Sequence, residues 1–113
     1  MLSLPSIVEV YFCTEVTDMR KSFDGLSTMV KDIIKQNPLS GHLFIFLNRR
    51  KDRIKLLWWD SDGFVIWYKR LEEGTFKMPD NSNAQFKISQ RDLSMMLEGI
   101  DFKTIRKNHR YQR

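Results

Sequence analysis

Between Ser22 and Ile34 the apolar residues Phe23, Leu26, Met29, Val30, Ile33 and Ile34 recur at three- and four-residue steps. That period lines one stripe of an α-helix. Ser22 is placed to cap it and Asp24 falls in the first turn, where negative charge is favoured. Asn37-Pro38 marks its end, because the residue before proline is driven out of the helical region. The pattern predicts one long amphipathic helix. A second helical pattern follows Ser89, with Leu93, Met96, Leu97 and Ile100 on one face and Gly99 as its stop. Between the two the helical period is lost, and short apolar and aromatic runs are separated by turn residues. His42–Asn48, Arg53–Asp60 and Phe64–Leu71 read as three strands of a meander spanning residues 42–71. Ser61-Asp62-Gly63 reads as a three-residue hairpin loop, with glycine in the left-handed position. Ile7–Phe12 and Gln85–Ser89 add one or two edge strands. The expected fold is α+β: a mainly antiparallel sheet packed with one long helix and a shorter C-terminal helix. Residues 1–102 are expected to form one domain. Residues 103–113 follow as a basic, mobile tail carrying Lys103, Arg106, Lys107, Arg110 and Arg113.

The strand register decides which side chains share a face. Setting Asp60 opposite Phe64 pairs Trp59 with Val65, Trp58 with Ile66, Leu57 with Trp67, Leu56 with Tyr68 and Lys55 with Lys69. Ile54, Leu56, Trp58, Ile66 and Tyr68 then share one face. Placing Asn48 opposite Asp52 adds Phe44 and Phe46 to it. This nearly all-apolar face is expected to lie under the long helix. The other face carries Lys55, Leu57, Trp59, Val65, Trp67 and Lys69, with Arg53 and Leu43 near its end. Lys55 opposite Lys69 is a like-charge pair, which costs stability on a bare sheet and is relieved by an anionic partner. Two readings stay open. In one, the second helix covers Trp59 and Trp67 while the lysine stems run along the rim. In the other, this face and the Arg49-Arg50-Lys51 turn meet phosphates while an aromatic ring stacks on a base or sugar.

Charge adds moderate support for an anionic partner. Lys and Arg number 19 against 14 Asp and Glu, a formal charge of +5 over 113 residues. The 42% hydrophobic content is enough for one small core. Cys13 is the only cysteine, so no internal disulfide forms, and a reducing cytoplasm is expected. The N-terminus has no basic signal-peptide region, and no apolar run reaches the ~20 residues of a membrane span. No phosphate-cradling glycine loop and no nucleophile elbow are present. A structural zinc site would need Cys13, His42 and His109 plus carboxylates, and none is expected. Asp60-x-Asp62-Gly63 starts like a calcium loop but lacks the later ligands. Asp18, Asp24, Asp60 and Asp62 are the one set that a metal-dependent nuclease would have to gather. Cys13 reads as a small buried hydrophobe and His42 as a space-filling strand residue. Arg20 and Lys21, just before the long helix, either hold a phosphate or leave Arg20 paired with a nearby carboxylate.

The strings "TDMRKSFDGL" (Thr17 to Leu26) and "PLSGHLFIFLNRRKDRIKLLWWDSDGFVIWYKRLEEGTF" (Pro38 to Phe76) resemble a known family. It is the small accessory protein of insertion-sequence-66-type transposable elements, the TnpB or Orf2-like family. Leu97 to Asp101, "LEGID", is similar to that family's ending. The name shared with RNA-guided nucleases is a coincidence of labelling. The resemblance implies a protein encoded beside a separate transposase and required for efficient transposition, with strand cleavage left to the transposase. It brings no catalytic residues and no cofactor. The family's motif positions fall here at Asp18, Met19, Arg20, Lys21, Ser40, Gly41, Asn48, Arg49, Arg50, Asp52, Arg53, Lys55, Asp60, Gly63, Trp67, Tyr68 and Lys69.

Residues and resemblance together predict a non-catalytic transposition accessory protein with DNA and the element's transposase as partners. The expected DNA-binding residues are Arg20, Lys21, Arg49, Arg50, Lys51, Arg53, Lys55, Trp59, Trp67 and Lys69, with no metal. The alternatives are a module that docks on the transposase through an apolar indole patch and, third, a small metal-dependent nuclease.

Overall fold

In the computed structural model, which describes residues 4–78 and 87–99, the strand segments form a five-stranded sheet. The strands are β1 (Val10–Phe12), β2 (Leu43–Leu47), β3 (Arg53–Trp59), β4 (Phe64–Arg70) and β5 (Lys87–Ile88), in the order β4-β3-β2-β1-β5. The meander β2-β3-β4 is antiparallel as expected, and β5 lies antiparallel to β1. β1, however, runs parallel to β2. The helix between them carries the chain back across the sheet, and such a crossover returns the next strand in the same direction. The sheet is therefore mixed. The tail 103–113 and its cations lie outside the described residues, as do Ile100 and the first two residues of the expected strand Gln85–Ser89.

The long-helix expectation also needs correction. α1 is a seven-residue α-helix, Phe23–Met29, which widens into a π-helical turn over Val30–Ile34. Lys35 ends it in the left-handed conformation, at φ 63°, two residues before Asn37-Pro38. Ser22 makes no side-chain cap. Inside the helix, Ser27 and Thr28 donate instead to the carbonyls of Phe23 and Asp24. α2 (Gln90–Leu97) follows the sequence closely: the Ser89 hydroxyl accepts from the Asp92 amide, and Gly99 adopts positive φ just past its end.

Both hairpins are shifted one residue from the expected register. Leu47 pairs with Ile54 rather than Arg53, and Trp59 pairs with Phe64 rather than Val65. At the second turn Ser61, not Gly63, takes the left-handed conformation (φ 52°), and the Asp60 amide donates to the Gly63 carbonyl. At the first, the Asn48 side chain accepts from the amides of both Asp52 and Arg53. Asn48 thus becomes part of the loop closure.

The shift reassigns the faces. Ile54 and Leu56 lie with Leu43, Ile45 and Leu47 against Leu93, Met96 and Leu97 of α2, and Trp58 and Trp67 pack on this cluster. Phe44, Phe46 and Leu57 lie with Cys13 on the opposite side, against Leu26, Met29, Val30 and Ile34, with Ile66 alongside. The sheet is covered on both faces, by α1 on one and α2 on the other. The face expected under the long helix mixed residues from both sides.

Candidate nucleic-acid interface

One end of the sheet gathers the basic residues, and the β2–β3 turn builds it. Asn48 clamps the turn through the Asp52 and Arg53 amides at 3.1 and 3.0 Å, and its Nδ2 donates to the Asp52 carboxylate at 2.7 Å. The Asn48 amide holds the Asp52 carboxyl below its usual range, chiefly by that hydrogen bond. Lys51 adopts φ 60°, and its carbonyl accepts from the amide of buried Phe76 at 2.7 Å. These bonds fix a short turn whose apex presents Arg49 and Arg50 to solvent.

The segment before α1 comes alongside. The Thr17 amide donates to the Leu47 carbonyl at 2.9 Å, and the Thr17 side chain is buried. Lys55, 8% exposed, donates its Nζ to the carbonyls of Met19 and Lys21, both at 2.8 Å, and sits 4.7 Å from the Tyr68 ring centroid. The ammonium thus finds two carbonyls and a π face, which satisfy it in place of water.

Between the two segments lies a cleft of about 740 Å³, lined by residues 16–20, residues 48–50, Arg53 and Tyr68. It brings together Arg20, Arg49, Arg50 and Arg53. Arg53 Nη1 donates to the Tyr68 hydroxyl at 3.0 Å, which pushes the guanidinium pKa up. Arg20 grips Asp18 through Nε at 3.0 Å and Nη2 at 2.6 Å, and holds that carboxyl at about 2. A depressed carboxylate pKa means that this pairing is complete above the ordinary carboxylate range and is lost as pH falls through about 2. The paired state of Arg20 is the second of the two roles weighed for it.

The other expected site residues divide. Lys51 is exposed in the same turn, and Lys21 is exposed beside the cleft with its carbonyl held by Lys55. Lys55 itself is interior. The expected Lys55–Lys69 pair does not form: Lys55 lies opposite Tyr68 and Ile54 opposite Lys69. Lys69 is on the α2 side, where its Nζ donates to the Leu97 carbonyl at 2.8 Å, at the negative end of that helix. Trp59 and Trp67 fall on opposite faces. Trp59 meets Phe64 edge-on at 5.0 Å at the far end of β3, and Trp67 packs into the α2 cluster. The expected lysine–indole surface is thus split across the sheet by the one-residue register shift. Tyr68, assigned from the sequence to the core, is instead 46% exposed in the cleft. Its alternation with Arg70 and Ile66 was visible, but the face that it belonged to depended on the register.

Among the described residues no three His, Cys, Asp or Glu side chains gather as metal ligands, so Asp18, Asp24, Asp60 and Asp62 make no cluster. His42 accepts the Glu9 amide through Nδ1 at 3.0 Å and meets Tyr11 edge-on. Cys13 is buried, and burial pushes its thiol pKa up, away from nucleophilic use. Among the described residues no helix is long and apolar enough to cross a membrane.

Comparison with known proteins adds the family. The uncharacterized protein y4hO of Sinorhizobium fredii is 38% identical over 103 residues, covering 91% of this chain and 90% of its own. The uncharacterized protein y4jC of the same organism is 26% identical over 100 residues, covering 88% and 86%. No solved structure matches. The model of the family described as IS66 Orf2 like protein matches residues 8–107, which include both hairpins and the whole basic end. The chain therefore belongs to the IS66 Orf2-like protein family.

Proposed function

We propose that this protein is a non-catalytic accessory factor of DNA transposition that grips the DNA backbone with the arginine cleft at the end of its sheet. Family membership supports the association with transposition. The convergence of Arg20, Arg49, Arg50 and Arg53 on one cleft supports the contact with DNA. Guanidinium groups suit phosphate because their planar donor forks match its oxygens. Lys21 and Lys51 extend the basic rim. Lys55 and Lys69 hold the framework, and Trp59 and Trp67 pack rather than stack on bases.

Binding to duplex DNA is expected to weaken steeply with salt, as phosphate contacts release counterions. Arg49→Ala and Arg50→Ala are each expected to reduce affinity roughly 10- to 100-fold and to shallow the logarithmic salt slope by about one, since each removes one charged phosphate contact. Fluorescence anisotropy with labelled duplexes across a salt series measures both. A purified protein that does not bind DNA even at low salt rules this reading out.

Asp18→Asn supplies an opposite sign. The amide keeps an acceptor for the Arg20 backbone N–H but removes the charge that neutralises its guanidinium. Binding is expected to tighten severalfold and the salt slope to steepen. Unchanged binding in the same anisotropy series would remove Arg20 from the interface.

The second reading, docking on the transposase, draws on exposed apolar groups at the same end, Val16 at 53% and Tyr68 at 46% exposure. Retention of co-expressed transposase that Val16→Asp abolishes and Arg50→Ala spares would favour it.

A further inference from the structure

β4 is an outer strand of the sheet, and among the described residues nothing pairs with its free side. Outer strands are normally blunted by shortness, proline, bulges or charge. β4 has few of these. It is seven residues long, holds an unbroken register with β3, and carries Phe64, Val65, Ile66, Trp67 and Tyr68 before its first charge. Among the described residues the opposite edge, β5, has two, Lys87 and Ile88.

The backbone phase of β4 follows from its ends. The Asp60 amide donates to the Gly63 carbonyl, and the Leu71 amide donates to the Asp52 carbonyl. Counting in steps of two between them, Val65, Trp67 and Lys69 turn their backbone groups toward β3. Phe64, Ile66, Tyr68 and Arg70 turn theirs outward. Antiparallel pairing of β4 with itself about Trp67 places Phe64 opposite Arg70, Val65 opposite Lys69 and Ile66 opposite Tyr68. This register engages all four outward residues. It also sets both cations of each strand against apolar or aromatic residues of the other, so that no like charges meet. The two-fold axis is then perpendicular to the sheet, so both α1 helices stay on one side and both α2 helices on the other. The contact is isologous and closed.

We propose that β4 is a homodimerisation edge, on which a second copy of this chain adds antiparallel to form a continuous ten-stranded sheet. The occupant is a second copy because the strand is self-complementary in backbone phase and, in this register, sets no like charges opposite each other. The interface shares Tyr68 with the arginine cleft but none of its four arginines, and sedimentation tests it without reference to DNA binding.

Sedimentation of the full chain is expected to give twice the 13.6 kDa chain mass. Trp67 of each copy faces its equivalent across the axis in a non-hydrogen-bonded pair, with Cα atoms about 4.5 Å apart, within disulfide range. Trp67→Cys is therefore expected to cross-link into a covalent dimer on mild oxidation, while wild-type protein, whose Cys13 is buried, does not. Phe64→Lys and Phe64→Glu lose the same packing against Trp59, but only the first sets like charges against Arg70 of the other copy. Their dimer dissociation constants are expected to differ roughly tenfold, with Phe64→Lys the weaker. A wild-type chain that stays monomeric at all accessible concentrations overturns the proposal. So does a dimer that neither cross-links through position 67 nor distinguishes the two Phe64 variants.

Discussion

Phe46→Ala is expected to lower the stability of the protein by about 3–5 kcal/mol, the range for deleting a fully buried phenylalanine. Phe46 is 0% exposed in β2 and packs with Leu26, Met29, Val30 and Leu57 between the sheet and α1. The loss combines the transfer of the ring to water with the cavity left behind, and neighbours on a rigid sheet collapse into such a cavity only in part. A small domain has only about 5–15 kcal/mol in total, so this single change brings it close to the unfolding threshold. Urea denaturation measures the change. Ile7→Ala, at a position 81% exposed, serves as the control and is expected to shift stability by less than about 0.5 kcal/mol. Equal effects at the two positions would contradict the core described for the α1 side.

Lys55→Met is expected to cost about 1–3 kcal/mol and to loosen the basic end of the sheet. Two effects oppose each other. Removing the ammonium abolishes the desolvation penalty of a buried charge, which is a gain. It also strips the Met19 and Lys21 carbonyls of their donor, and each carbonyl left unpaired away from water costs about 1–3 kcal/mol. The carbonyls are two and the charge is already partly satisfied by them and by the Tyr68 ring, so the loss wins. Methionine keeps nearly the same volume, which separates the lost hydrogen bonds from a cavity effect. Hydrogen exchange at the Thr17 and Lys21 amides is expected to accelerate, because Lys55 ties this segment to the sheet. On the proposed function, DNA affinity is expected to fall although Lys55 is buried, since Arg20 and Asp18 ride on the same segment. Unchanged stability with unchanged exchange at these amides would show that the tie is not structural.

The fold was legible wherever a signal was local. Short apolar and aromatic runs bounded by turn residues marked β2, β3 and β4, and the three- and four-residue spacing of Leu26, Met29, Val30 and Ile34 marked the helix that covers one face. Ser89 and Gly99 bounded α2 because cap and stop chemistry acts within a few residues. The separation of Ile54, Leu56 and Trp58 from Lys55, Leu57 and Trp59 also held, since alternation within one strand needs no partner.

The basic end was half legible. Arg49, Arg50 and Arg53 stand in one short stretch, but Arg20 is remote in sequence and reaches the cleft only because Thr17 pairs with Leu47 and Lys55 holds Met19 and Lys21. Trp59, Trp67, Lys55 and Lys69 failed as a shared surface for one reason. Their grouping required a register between strands, and register is set by loop closure rather than by alternation. Asn48 bonding two amides and Ser61 taking the left-handed position each moved a hairpin by one residue, and one residue turns a strand over relative to its neighbour.

The sequence by itself determined which segments are strand or helix, which side chains alternate within each strand, and the family to which the chain belongs, because each of these is carried by spacing along one stretch of chain. The tertiary structure alone decided that β1 runs parallel to β2, that the sheet is buried on both faces, that Lys55 is interior, and that four arginines share a cleft. Those features arise from contacts between residues far apart in sequence, fixed by two turns and one buried ammonium whose hydrogen bonds no local pattern encodes.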